Sequence, residues 1–220
     1  MDHTAFIKDI EKFQIKFGFE TPKAYTNLSD ELHKFRAAFI DEELAEFVEG
    51  CKTNDINLAI DSLIDLVYVV GGTVLFHGID INEFCIFADQ VNIQPLPKAI
   101  DILEKEEWQF TASYIGRLTA EYRNIHSSNL HKHEKHRQNI KYLAGIWSMC
   151  LEAAKCMGIT PELWQALWDD VQRANMSKEK AVSDTQSKRG SAVFDVIKPA
   201  GWVGPNTGKV IEDFYKKDAA

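Results

Sequence analysis

Residues 36–50, RAAFIDEELAEFVEG, and residues 59–73, AIDSLIDLVYVVGGT, decide the fold. In the first stretch Phe39, Ile40, Leu44 and Phe47 recur at helical spacing, and Glu43 and Glu46 stand three apart. In the second, Ile60, Leu63, Ile64, Leu66 and Val67 surround Asp61 and Asp65, which stand four apart. Side chains three or four residues apart share one helix face. Glu42 lies beside Glu43, about 100° further round the helix. The short turn from Cys51 to Asp55 makes the two helices antiparallel neighbours, so Glu46 and Asp61 face each other across the pair. An acid set into an apolar helix is costly unless it is paired or binds a cation. Facing carboxylates repel one another, and a hard divalent cation relieves that repulsion. Mg2+ suits oxygen ligands and bridges to substrate phosphates. Glu42, Glu43 and Glu46 alone would fit a solvated acidic face. Their combination with Asp61 and Asp65 points to a metal site.

Outward from this pair, helical spacing dominates and strand-like alternation is nearly absent, which predicts an all-α bundle. The pattern predicts helices over 3–17, from Asp30 (capped by Ser29) to Gly50, over Ile56–His77, and over Ile81–Val91 after the cap Asp80. Pro95 and Pro97 interrupt it, and Lys98 to Arg123 resumes it. Residues 124–137 hold His126, His131, His133 and His136 and read as a solvated loop rather than a metal site. Helices then follow over Gln138–Met157 and from Pro161 past Arg173, with Thr160 as cap. The last forty residues contain Gly190, Pro199, Gly201, Gly204, Pro205 and Gly208 and read as an irregular tail wrapping the helical body.

A repeat organises these helices. The 33 residues from Ala59 align without gaps to those from Asn139, matching Ile60 with Ile140, Leu63 with Leu143, Gly78 with Gly158, Ile79 with Ile159 and Phe84 with Trp164. Upstream, FIDEELAEF from Phe39 aligns with YIGRLTAEY from Tyr114, and the changed offset falls in a turn, where length is cheap. The chemistry does not repeat. Glu43 aligns with Leu118, Asp61 with Lys141 and Asp65 with Gly145, and only Glu46 keeps an acid, as Glu121. The expected organisation is one all-α domain, with a catalytic repeat over 1–94, a degenerate repeat over 95–178 and a wrapping tail over 179–220.

The net charge of −8 leaves no basic face for nucleic acid, and a bound metal would reverse the local sign for a phosphate-bearing substrate. Cys51, Cys85, Cys150 and Cys156 form no CxxC pair and read as reduced thiols of a cytoplasmic protein. The N-terminus lacks a basic start followed by an apolar run, so no signal peptide is expected. The apolar run Leu63–Phe76 is too short and too interrupted to predict a membrane span. No GxxxxGK[ST], GxGxxG or GxSxG occurs.

The paired acidic stretches resemble the motifs of the MazG-like, all-α NTP pyrophosphohydrolases, a superfamily that includes the dimeric dUTPases. That family carries E-x-x-E on one helix and E-x-x-D on the next. Glu43 and Glu46 match the first motif, and Asp65 matches the last acid of the second. Ser62 departs from the pattern, and Asp61 is the substitute. KFQIKFGFETP (12–22), VQRANMSK (171–178) and KRGSAVFDVIKPAGWVGP (188–205) resemble further family segments.

The resemblance implies Mg2+-dependent (or Mn2+-dependent) cleavage of a nucleoside triphosphate to monophosphate and diphosphate. The implied substrate is a deoxynucleotide such as dUTP. Glu43, Glu46, Asp61 and Asp65 would hold the metal, and Glu42 would take the proton of the attacking water. Lys178 would reach phosphate and Asn175 the sugar or base, with Arg189 and Lys198 adding phosphate contacts. Phe17, Phe39 and Tyr68 could stack on a base, although each also suits the core. A monomer or homodimer is expected, with no nucleic-acid or membrane partner. Two rivals stand beside this reading: a hydrolase of purine or modified nucleotides or alarmones, and a non-catalytic nucleotide-binding module.

Overall fold

The computed structural model describes residues 2–91 and 108–218. Pro95, Pro97 and the first part of the helical pattern expected from Lys98 lie outside them. Among the described residues there are eight helices: α1 (His3–Lys16), α2 (Asp30–Thr53), α3 (Ile56–Phe76), α4 (Ile81–Gln90), α5 (Trp108–Ser127), α6 (Lys132–Cys156), α7 (Pro161–Met176) and α8 (Thr207–Asp218). One two-stranded antiparallel ribbon, β1 (Glu179–Lys180) with β2 (Val196–Ile197), completes the architecture. The protein is an all-α bundle.

Local chemistry sets the boundaries around α2 and α3. The Ser29 hydroxyl accepts from the Leu32 N–H at 3.2 Å and starts α2. That helix runs further than its sequence suggests, to Thr53, because Gly50 and Cys51 are buried against the rest of the body. It stops at Asn54, whose φ of 56° is left-handed. Asp55 at once caps α3, accepting from the Leu58 N–H at 3.0 Å. A Cβ on Gly50 would lie 2.6 Å from the Ala59 backbone nitrogen, so glycine lets the two helices close tightly.

α2 packs mainly on α3 and α5 on α6, while α3 meets α6 and α2 meets α5. The four helices form a ring around a core that includes Leu63, Ile64, Val67, Val70, Leu143, Ile146 and Trp147, all fully enclosed. Each such aliphatic side chain contributes roughly 1.5–3 kcal/mol by leaving water. By length and composition α3 could cross a membrane, but it is the central helix here and is largely buried within the bundle. α1 lies across α3, α4 and α7. The order of α2, α3 and α4 recurs in α5, α6 and α7, and the aligned Gly78 and Gly158 both take positive φ, at 61° and 80°.

Two expectations need correction. The His-rich segment is mostly helical: α5 continues to Ser127 and α6 starts at Lys132. Tertiary packing explains it. His126 stacks on His33 at 4.0 Å and bonds Asp30 at 2.8 Å, and His136 packs on Tyr25 at 4.5 Å. The tail, in turn, is not wholly irregular. Val210, Ile211 and Phe214 recur at helical spacing and dock α8 onto the core.

Candidate active site

A cavity of about 400 Å3 lies between α1, α2, α3, the end of α7 and the tail. Every site residue expected from the sequence lines it except Asp61 and Phe17. Glu42, Glu43 and Glu46 enter from α2, and Asp65 and Tyr68 from α3. Asn175 comes from the last turn of α7, Lys178 directly follows that helix, and Arg189 and Lys198 come from the tail. Phe39 also lines the cavity, whereas Phe17 is buried outside it.

The carboxylates strain against one another. Glu43 is buried and its Oε2 has no hydrogen-bond partner among the described residues. Burial, with Asp65, Glu46 and Glu42 nearby, pushes its pKa up to about 9. Asp65 is half-buried, and burial together with Asp61 and Glu46 raises it to about 7, against the pull of Lys178 and Lys198. Asp61 is raised too, chiefly by burial, although the Thr207 hydroxyl donates to its Oδ1 at 3.2 Å. That contact ties Asp61 to α8. Ser62, the departure from the family pattern, turns its hydroxyl back to the Leu58 carbonyl at 2.8 Å and offers no ligand to the site.

Among the described residues, no three Asp, Glu, His or Cys side chains close around a common point as they stand. The donor chemistry nonetheless fits a hard cation. All the acids offer oxygen, Glu43 Oε2 lacks a partner among the described residues, and Glu43 and Asp65 are raised first by burial and then by neighbouring carboxylates, a combination that a divalent ion would relieve.

Cations line the same cavity as the acids. Burial lowers the Lys178 pKa, with Lys198 and Arg189 adding to the effect and Asp65 and Glu43 opposing it. Trp202 lies under both lysines, with the Lys198 ammonium 4.6 Å and the Lys178 ammonium 5.6 Å from its ring. Arg189 lies 3.5 Å from the Phe39 ring centre and bonds Glu42 at 2.6 Å and Asp195 at 3.3 Å. Lys188 also pairs with Glu42. Burial pushes the Glu42 pKa up, but these two cations outweigh it and hold the carboxylate below its ordinary value. Glu42 is therefore not the free carboxylate that its sequence position suggests. It ties the tail to α2.

Several lining residues were not anticipated from sequence: Gln14, Arg36, Lys188, Phe194 and Asp195. Asp195 is 4% exposed and accepts from the Ser187 hydroxyl at 2.7 Å, which fixes the turn that carries Arg189. Gln14 had a usable signal, since it is the polar residue on an otherwise apolar face of α1, formed by Phe6, Ile7 and Ile10.

The segment that brings the acids together is similar to a known family of pyrophosphohydrolases. Residues 10–90 match the family model described as phosphoribosyl-ATP pyrophosphohydrolase, and this supports pyrophosphohydrolase action on a nucleotide. The match spans the second half of α1 and all of α2 to α4, which is under half of the chain. Lys178, Arg189 and Lys198 lie beyond it. No curated protein and no solved structure matches the chain.

Proposed function

We propose that this protein is a Mg2+-dependent nucleoside triphosphate pyrophosphohydrolase that cleaves a deoxynucleotide such as dUTP to the monophosphate and diphosphate. One observation carries the reading: a single cavity is lined both by Glu43, Glu46 and Asp65 from α2 and α3 and by Lys178, Arg189 and Lys198 from the segment after α7. Glu43, Glu46, Asp61 and Asp65 would hold Mg2+ or Mn2+. When bound, the metal would neutralise phosphate charge and polarise the phosphorus centre. Lys178, Lys198 and Arg189 hold the phosphates, and Asn175 and Tyr68 border the sugar. Phosphates that draw Arg189 and Lys188 away release Glu42, which then accepts the proton of the attacking water. The halves are a duplication with one site retained, which fits a monomer or homodimer. Cysteines that form no disulfide among the described residues fit a cytoplasmic setting.

The test is diphosphate release from a panel of dNTPs, NTPs and phosphoribosyl-ATP with and without Mg2+. Metal-dependent release of equal diphosphate and monophosphate is expected. Tight nucleotide binding without turnover would instead establish a sensor.

A further inference from the structure

The end of the cavity remote from the acids holds two buried polar groups that phosphate chemistry does not use. Gln14 of α1 is 2% exposed and Arg36 of α2 is 6% exposed, and both line the cavity. Each sits close to Gly72 of α3. A Cβ there would lie 3.0 Å from Arg36 Nη2 and 3.4 Å from Gln14 Nε2. Arg36 donates from Nε to the Thr73 hydroxyl at 3.1 Å and from Nη2 to the Val69 carbonyl at 2.5 Å. Its charge lies 5.4 Å from the ring centres of both Phe39 and Phe76. No carboxylate pairs with it among the described residues.

Gln14 is fixed in one orientation. Its Nε2 donates to the Gly72 carbonyl at 2.9 Å, and a carbonyl can only accept, so turning the amide over would set two oxygens against each other. Its Oε1 is left buried with no partner among the described residues. A buried polar atom in that state calls for an explanation, and an absent ligand supplies one.

The spacing places this pair relative to the acids. Arg36 precedes Glu43 by seven residues on α2, and Gly72 follows Asp65 by seven on α3. Both separations are about two helical turns, or roughly 10 Å. Tyr68 lies between on α3. A nucleotide with its phosphates at the acids and its sugar at Tyr68 brings its base to Gln14, Arg36 and the rings of Phe39 and Phe76.

We propose that Gln14 and Arg36 select a base with a lactam edge, a ring N–H beside a carbonyl. Uracil, thymine, guanine and hypoxanthine carry that edge. Gln14 Oε1 accepts from the ring N–H, and the guanidinium donates to the carbonyl. Adenine and cytosine present the reverse, a ring nitrogen that accepts beside an amino group that donates. They would set acceptor against acceptor at Gln14 and donor against donor at Arg36. A site built to hydrogen-bond its ligand discriminates far more strongly than one that only fits its shape.

This inference rests on the nucleotide reading of the site, and its test separates the two. Turnover of dITP and dATP, which differ only at that edge, is compared together with dUTP, dGTP and dCTP. Binding of the α,β-imido analogues of dITP and dATP is measured in parallel. At least about a hundredfold preference for the lactam bases is expected in kcat/KM and in affinity. Gln14→Leu should reduce the preference below about tenfold, with melting confirming a folded variant. Turnover that is equal across bases, or best with dATP, overturns the base assignment and leaves the pyrophosphohydrolase reading intact. Lactam-selective binding without turnover does the opposite. If Gln14→Leu does not fold, the wild-type dITP to dATP ratio still decides.

Discussion

The two halves of the bundle show what a helical pair needs to become a site. In α2 and α3, Glu43 and Asp65 crowd a cavity, and both are held above their ordinary pKa. At the aligned positions of α5 and α6 stand Leu118 and Gly145. A Cβ on Gly145 would lie 2.8 Å from Leu118 Cδ1, so the leucine fills the space that its counterparts leave open. Lys141 and Glu121, the counterparts of Asp61 and Glu46, retain no acid cluster around them. The same framework is thus packed for stability in one half and left in electrostatic conflict in the other.

Asp65→Asn should break the contrast most severely. Diphosphate release should fall by about a hundredfold or more, as expected when one group that stabilises developing charge is lost. A steady-state assay at saturating Mg2+ checks it. Gly145→Asp tests the other half. The new side chain must displace Leu118 and bury an acid, so thermal unfolding should show a loss of about 1–3 kcal/mol, with no gain of activity. At this chain length each kcal/mol lowers Tm by about 2–4 °C.

The acids also make metal-free stability depend on pH. Glu43 has an ordinary value of 4.5 and is raised to about 9 in the fold, and Asp65 moves from 3.8 to about 7. Between those limits the folded chain holds protons that the unfolded chain has released, so stability falls as pH rises from about 5 to 9. Tm without metal should decline over that window, and the rise on adding Mg2+ should be larger at pH 8 than at pH 6, because binding must expel those protons. Glu43→Gln should raise the metal-free Tm at pH 8 and flatten its pH dependence while abolishing activity. A metal-free Tm that is flat from pH 5 to 9 would show that the acids do not strain the fold. The smallest effect belongs to Glu121→Gln, which should keep activity within about twofold and stability within about 0.5 kcal/mol. Equal activity losses from Asp65→Asn and Glu121→Gln would remove the distinction between the halves.

The sequence made α2 and α3 legible because their signals are local: Ser29 as a cap, a short turn from Cys51 to Asp55, regular apolar spacing, and acids set four apart within an apolar run. The convergence of Lys178, Arg189 and Lys198 on those acids followed from family resemblance, and the cavity shows them together. Less legible were features fixed by distant partners. His126 and His136 looked like part of a solvated run, since the rings of His33 and Tyr25 that cover them lie about a hundred residues away, whereas His131 and His133 are exposed as that reading has it. Glu42 looked free until the tail set Arg189 and Lys188 against it. Gln14 breaks the apolar face of α1 just as Asp61 and Asp65 break the apolar run of α3.

The most direct measurement is product analysis after incubating the full chain with dUTP and Mg2+. The account predicts dUMP and diphosphate in equal amounts, with none formed when the metal is chelated. Release of orthophosphate with dUDP, or no turnover of any nucleotide across the panel, would contradict it.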